Sequence, residues 1–205
     1  MIFMFDMGGV VANSSSMKNI INELGINEHE YRLFQIDSAG RNTYKQLSVG
    51  SISTEDYWKN FSTNFKKEIT QDYFKDFYNP VINYSVLLHI KKLKEKYRVI
   101  CATNTIQSHF EMHCQLGNYD VFDFVYSSHS LGAVKPNHVF FNHVIDAEQV
   151  LPQNIFFVDD NQENIKEAKK IGMNAHLFTS NENLEKTLGS LCITPISDKF
   201  ALVTC

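Results

Sequence analysis

Three short apolar runs, each closed by polar residues, limit the folds open to this chain more than any other feature. They are Met1–Phe5 before Asp6, Val99–Ala102 before Thr103-Asn104, and Ile155–Val158 before Asp159-Asp160. Runs this short are not helices; they fit strands buried on both faces. From Val86 onward such strands alternate with helical patterns. A helix over Val86–Tyr97 precedes strand Arg98–Ala102, then helix Ile106–Leu116 ending at Gly117. Strand Phe124–Ser127 and helix Pro136–Ala147 come next. Strand Ile155–Val158, helix Gln162–Ile171 closed by Gly172, and strand Asn174–Phe178 complete the series. Alternation of this kind predicts an α/β chain, with a parallel sheet covered by helices on both faces.

The interval between Asn13 and Tyr84 carries no strand signal and reads as helical. Ser16 is placed to cap Met17–Leu24, with Gly25 ending it. Tyr31–Ile36 and Thr43–Val49 follow. Ser53 or Thr54 opens Tyr57–Phe65 with acids in its first turn, and Gln71–Tyr78 stops before Pro80. Aromatic residues at helical spacing, among them Tyr57, Trp58, Phe61 and Phe74, are read as packing these helices together. The predicted organisation is a core of residues 1–12 and 85–205 and a helical insertion over 13–84.

Bulk properties narrow the functional classes. A chain of 205 residues with 43% hydrophobic and 20% charged residues has enough material for a sizeable core. A net charge of −4 gives no basic footprint for nucleic acid. No apolar run approaches the ~18 residues of a membrane span. The first apolar run lacks a basic flank and stops at Asp6, unlike a secretory signal. Cys101, Cys114, Cys192 and Cys205 form no CxxC pair, and Cys101 sits within a predicted buried strand. A reduced, cytoplasmic protein is expected.

The strand ends carry the chemistry. Carboxyl ends of strands are where open α/β sheets place ligands, and Asp6 stands at one, followed by Met7-Gly8-Gly9. The glycines let the backbone approach a bound group closely, and a left-handed conformation at Gly8 would bar any side chain there. Taken alone, Asp6 reads equally well as an Asx-type turn, Thr103 as a helix cap, and Lys135, in the loop Leu131–Pro136, as a solvated cation. Asp159 and Asp160 are harder to reduce, because adjacent carboxylates repel unless a cation or donors lie between them. None of the eight histidines has ligand spacing to another, and they are read as structural or exposed.

Asp, Thr, Lys and Asp-Asp in this order, each at a strand end or in a loop, resemble the haloacid dehalogenase-like (HAD) hydrolases. The resemblance covers the whole chain and implies a Rossmann-like core with a small helical cap after the first strand. It implies Asp6 as a nucleophile that forms an aspartyl-phosphate. The phosphate would lie against the backbone N–H groups of Met7 and Gly8, a backbone N–H at Asn104, the Thr103 hydroxyl and the Lys135 ammonium. It further implies Mg²⁺ held by Asp6, the Gly8 carbonyl and Asp160, with Asp159 acting through a metal-bound water. Asn164 would brace the loop, and Ala168 and Gly172 would allow close helix packing. One position departs from the pattern: family phosphatases usually carry an acid–base Asp two residues after the nucleophile, and here that residue is Gly8. The chain is most similar to a phosphatase-like branch that begins Asp-x-Gly-Asn or Asp-x-Gly-Gly.

The expected function is a Mg²⁺-dependent phosphohydrolase acting on a small phosphorylated metabolite, with sugar phosphates as one class. Two rivals remain open at this point. A 2-haloacid dehalogenase would use Asp6 against carbon without a metal, but Asp159-Asp160 would repel its carboxylate substrate. A binding or regulatory protein would keep the site and, lacking the acid, turn over poorly. Selectivity is expected from residues 13–84, where Arg41, Asn42 and Lys45 either face the site or form an exposed surface.

Overall fold

The computed structural model describes residues 1–14 and 16–191. Five parallel strands form the central sheet: β1 (Ile2–Phe5), β4 (Arg98–Thr103), β5 (Phe124–Ser127), β6 (Ile155–Asp159) and β7 (Asn174–Leu177), in the order β5-β4-β1-β6-β7. Both neighbours of β1 are parallel to it, with Phe5 beside Cys101 and Val158. This register brings Asp6, Thr103 and Asp159 out on one edge. The Asp6 N–H donates to the Val158 carbonyl at 2.8 Å, so the nucleophile candidate sits on the last rung of the ladder.

The period of two along each strand sorts side chains between two layers. Phe3, Phe5, Val99, Cys101 and Val158 face α6 (Tyr84–Lys94) and α11 (Asn181–Ser190). Met4, Ile100, Ala102, Ile155 and Phe157 face α9 (His138–Glu148) and α10 (Gln162–Ile171). Burial of each large apolar side chain contributes roughly 1.5–3 kcal/mol. Gly172 closes α10 with φ +101°, the left-handed conformation expected of a glycine cap.

Between β1 and β4 the chain is largely helical: α1 (Ser16–Leu24), α2 (Glu28–Phe34), α3 (Thr43–Ser48), α4 (Thr54–Phe65) and α5 (Tyr73–Asp76). Asn27 and Ser53 each form a reciprocal cap with the acid three residues on, Glu30 and Asp56. The aromatic residues make a core for this segment. The Trp58 and Phe74 ring centroids are 4.7 Å apart, and those of Tyr57 and Phe74 are 5.0 Å apart. Ile106, just before α7 (Gln107–Gln115), belongs to the same cluster and joins it to the sheet.

Two features differ from the sequence expectation. Strand signals do not stop after Val11: β2 (Ala12–Asn13) pairs antiparallel with β3 (Val81–Ile82) at the two ends of the helical segment. Pairs of two residues carry no readable periodicity. The helix expected over Gln71–Tyr78 shrinks to α5, because the Asp72 side chain accepts from Phe74 N–H and starts the helix there. Asp72 also ties the segment to the core. Its carboxylate accepts from Trp58 Nε1 at 3.1 Å and from Ser108 Oγ, on α7, at 2.5 Å. A second tie runs from Ser128 Oγ to the Ser48 carbonyl, at 2.7 Å. Cys101 is a buried free thiol and Cys114 an exposed one; Cys192 and Cys205 lie outside the described residues. Among the described residues, no helix is long and apolar enough to cross a membrane.

Candidate active site

Asp6 and Asp159, two of the three carboxylates expected at the site, meet at one ammonium group. Lys135 Nζ lies 3.0 Å from Asp6 Oδ1 and 2.7 Å from Asp159 Oδ2, and it donates to the Ala102 carbonyl at 2.6 Å. An ammonium has three protons, and three acceptors take them. The Lys135 side chain is fully buried, which sets aside the reading of a solvated loop cation. Burial works against its charge, but Asp6 and then Asp159 more than offset this and hold its pKa above the ordinary lysine value.

The loop that carries Lys135 is fixed by Asn104. The Asn104 amide donates to the Lys135 carbonyl and accepts from the Lys135 N–H, both at 2.8 Å. Nothing in the sequence spacing marks this pairing, because the two residues come from different loops. Thr103, at the end of β4, is buried beside them.

Asp159 is wholly buried and saturated. One oxygen accepts from the Asn161 N–H at 2.7 Å, and the other from Lys135; Asn164 Nδ2 reaches both, at 3.0 and 2.9 Å. Asn164 thus braces the carboxylate itself as well as the loop. Asp160 is exposed and leans over Gly9, where a Cβ would collide with its carboxylate. Burial, and next the Asp159 charge, push the Asp160 pKa upward.

Asp6 sits where its carboxylate is costly to ionise. Burial pushes its pKa up to about 7 against the pull of Lys135, with the Asp159 charge adding to the rise. Met7 N–H donates to Asp6 Oδ1 at 2.7 Å, so this backbone donor points at the carboxylate. The chain then turns, with Val11 and Ala12 N–H both donating to the Met7 carbonyl. The left-handed residue in this turn is Gly9, at φ +77°. Contrary to the expectation, Gly8 does not share that conformation, and a Cβ there would meet no heavy atom within 4 Å.

Asp6, Asp159 and Asp160 each place a carboxylate oxygen within 4.8 Å of the others. Three carboxylates against one ammonium leave an excess of negative charge that a divalent cation would neutralise, and an all-oxygen donor set suits a hard cation. The residues present fit such an ion. The residues considered for selectivity are occupied locally or exposed: Arg41 pairs with Asp37 at 2.8 Å, Asn42 caps α3, and Lys45 faces solvent. A groove of about 960 Å³ between α4 and residues 66–72 includes none of the groups gathered at Asp6.

The family model for haloacid dehalogenase-like hydrolases matches residues 3–178. A D-ribitol-5-phosphate phosphatase of Bacteroides thetaiotaomicron is 27% identical over 183 residues, covering 82% of this chain and 86% of that protein. A HAD-family enzyme of the same organism, solved with magnesium and inorganic phosphate, superposes with a TM-score of 0.75 at 22% identity. That match covers 91% of this chain and 98% of the other. A predicted HAD-like hydrolase of Porphyromonas gingivalis gives a TM-score of 0.78 at 23% identity, over 94% and 98% of the two chains. The chain belongs to the haloacid dehalogenase-like hydrolase family.

Proposed function

We propose that this protein is a Mg²⁺-dependent phosphatase acting on a small phosphorylated polyol or sugar. The observation that carries the reading is the Asp6 carboxylate, 3.0 Å from a fully buried Lys135 and grouped with the oxygens of Asp159 and Asp160. In this reading Asp6 attacks phosphorus, and Lys135 and the Met7 N–H, which hold Asp6 Oδ1 in the free protein, transfer to the phosphoryl oxygens alongside Thr103 and the N–H groups of Gly8 and Asn104. Asp6, the Gly8 carbonyl and Asp160 would hold Mg²⁺, and Asp159, whose oxygens are taken by Lys135, Asn161 and Asn164, acts through Lys135. The ion supplies positive charge for the phosphoryl oxygens. Residues 13–84 serve as the cap that selects the organic part of the substrate. The likeness to a ribitol-phosphate phosphatase supports the substrate class.

The test is a panel of phosphorylated polyols, sugars and nucleotides, assayed with Mg²⁺ and again after chelation. Turnover of polyol or sugar phosphates that stops on chelation is the expected result. No turnover of any ester, or turnover indifferent to chelation, would sink the reading.

The two adjacent acids should separate by what they do. Asp160→Ala is expected to abolish measurable Mg²⁺ binding with little change in melting temperature, because its side chain is exposed. Asp159→Ala removes the acceptor shared by Lys135, the Asn161 N–H and Asn164, and a buried donor left without a partner costs about 1–3 kcal/mol, so its melting temperature should fall. Calorimetry and thermal melting of both variants check this. Equal losses of stability, or Mg²⁺ affinity unchanged in Asp160→Ala, would remove the division of labour.

A further inference from the structure

We infer that this protein pairs with a second copy of itself through the outer face of α6, with the two α6 helices running antiparallel. Large apolar side chains are exposed there in a row. Val81, at the start of β3, is 67% exposed, Tyr84 is 75% exposed and Leu88 is 60% exposed. Tyr84 and Leu88 are four residues apart and so share one helix face, which Lys92 continues four residues further on. The opposite face, with Val86, Ile90 and Leu93, is buried against the sheet. An apolar centre with a charged margin is how contact patches between proteins are built.

The charges beside this row select both the partner and its direction. α11 lies next to α6, and both helices start at the carboxyl edge of the sheet, where Asn83 Nδ2 donates to Asn181 Oδ1 at 2.8 Å. The exposed acids Glu182 and Glu185 therefore lie near the start of the helix pair, and the exposed Lys91 and Lys92 near its end. A two-fold axis along the helices would set Lys91 and Lys92 against the same two lysines of the other copy, and like charges in contact repel. A two-fold axis across the helices, through Leu88, avoids this. It packs Leu88 on its own counterpart, because Leu88 stands midway between Tyr84 and Lys92. Each Lys92 then meets the Tyr84 ring of the other copy in a cation–π arrangement. The lysine end of each α6 comes beside the Glu182 and Glu185 end of the other α11. The patch is thus complementary to itself, as a closed two-fold dimer requires. With 11 residues, α6 is roughly 16 Å long. That is too short to bury the ~800 Å² per copy of a standard interface, so the dimer is weak and forms reversibly.

The experiment follows sedimentation of the full-length chain from about 1 µM to about 1 mM, the range in which a weak dimer forms. The expected result is a sedimentation coefficient that climbs from the monomer value toward the dimer value. Leu88→Glu, which sets two acids on the axis, should stay monomeric throughout; its side chain is exposed, so the fold is kept, as circular dichroism would check. Mild oxidation then reads the geometry. Leu88→Cys should join two copies at position 88, mapped by mass spectrometry, whereas Lys92→Cys should not join two copies at position 92. A monomer at every concentration, or a dimer untouched by Leu88→Glu, overturns the inference. So does a link between two copies at position 92, which only parallel helices allow. A link from position 88 to Cys192 or Cys205 in a protein of monomer mass would put the C-terminal segment on this face, and overturns it too. Leu88→Cys decides the matter even if Leu88→Glu fails to fold.

Discussion

Asp6→Asn is expected to reduce phosphatase activity to background while the protein remains folded. The amide keeps the size of the carboxyl, and its oxygen can still accept from the Met7 N–H, which donates to Asp6 at 2.7 Å. It loses the charge and the nucleophilic oxygen, so no covalent intermediate can form. The effect on stability has a definite sign. The folded-state pKa of Asp6 is raised from an ordinary 3.8 to about 7, so its ionised form costs folding free energy. That cost is absent below the ordinary value, grows as pH rises toward 7, and is fully present above it. Without bound metal, Asp6→Asn should therefore melt no lower than the parent at pH 8, and the two should converge in acid. Lys135 keeps Asp159 as a partner at 2.7 Å, so the substitution strands no buried charge. Turnover of p-nitrophenyl phosphate and melting at two pH values check both parts. Residual turnover in a folded Asp6→Asn protein would remove Asp6 from its role.

The parts of this site legible in the sequence are those that strand geometry forces together. Asp6, Thr103 and Asp159 each follow an apolar run, and parallel pairing in register brings three such ends to one edge whatever the helices do. Lys135 is legible only through order and resemblance, because its burial depends on contacts that no local pattern encodes. Its anchor, Asn104, is a case in point: the amide closes on the Lys135 backbone across 31 residues of sequence. The helices between Asn13 and Tyr84 are legible from caps and periodicity, and the observed α4 begins one residue after Ser53, one of its two expected caps. What this segment would present to a substrate is not legible in this way. Arg41 looks available in the sequence, but Asp37 lies four residues away in a tight turn and takes its guanidinium. The role of Gly9 is likewise hidden until Asp160 is seen leaning over it.

The missing acid gives the second large effect, read in the step that phosphorylates Asp6. Without a side chain at position 8, a departing oxygen must leave as an anion or take its proton from water. The specificity constant kcat/KM reports the steps through release of that oxygen, so it should fall steeply as the leaving group becomes more basic. An alkyl phosphate should react about 10²–10⁴-fold more slowly than p-nitrophenyl phosphate by this measure. Gly8→Asp is admissible in this structure: its Cβ meets no heavy atom within 4 Å, and the left-handed turn residue is the neighbouring Gly9. The variant should raise kcat/KM for alkyl esters far more than for p-nitrophenyl phosphate. Esters of graded leaving-group acidity, assayed on both proteins, measure the two slopes. A flat kcat/KM in the wild type, with chemistry shown to be rate-limiting, would mean that another side chain donates the proton. In that case Gly8→Asp should leave the slope where it was, since it would add a second donor to a step already supplied with one.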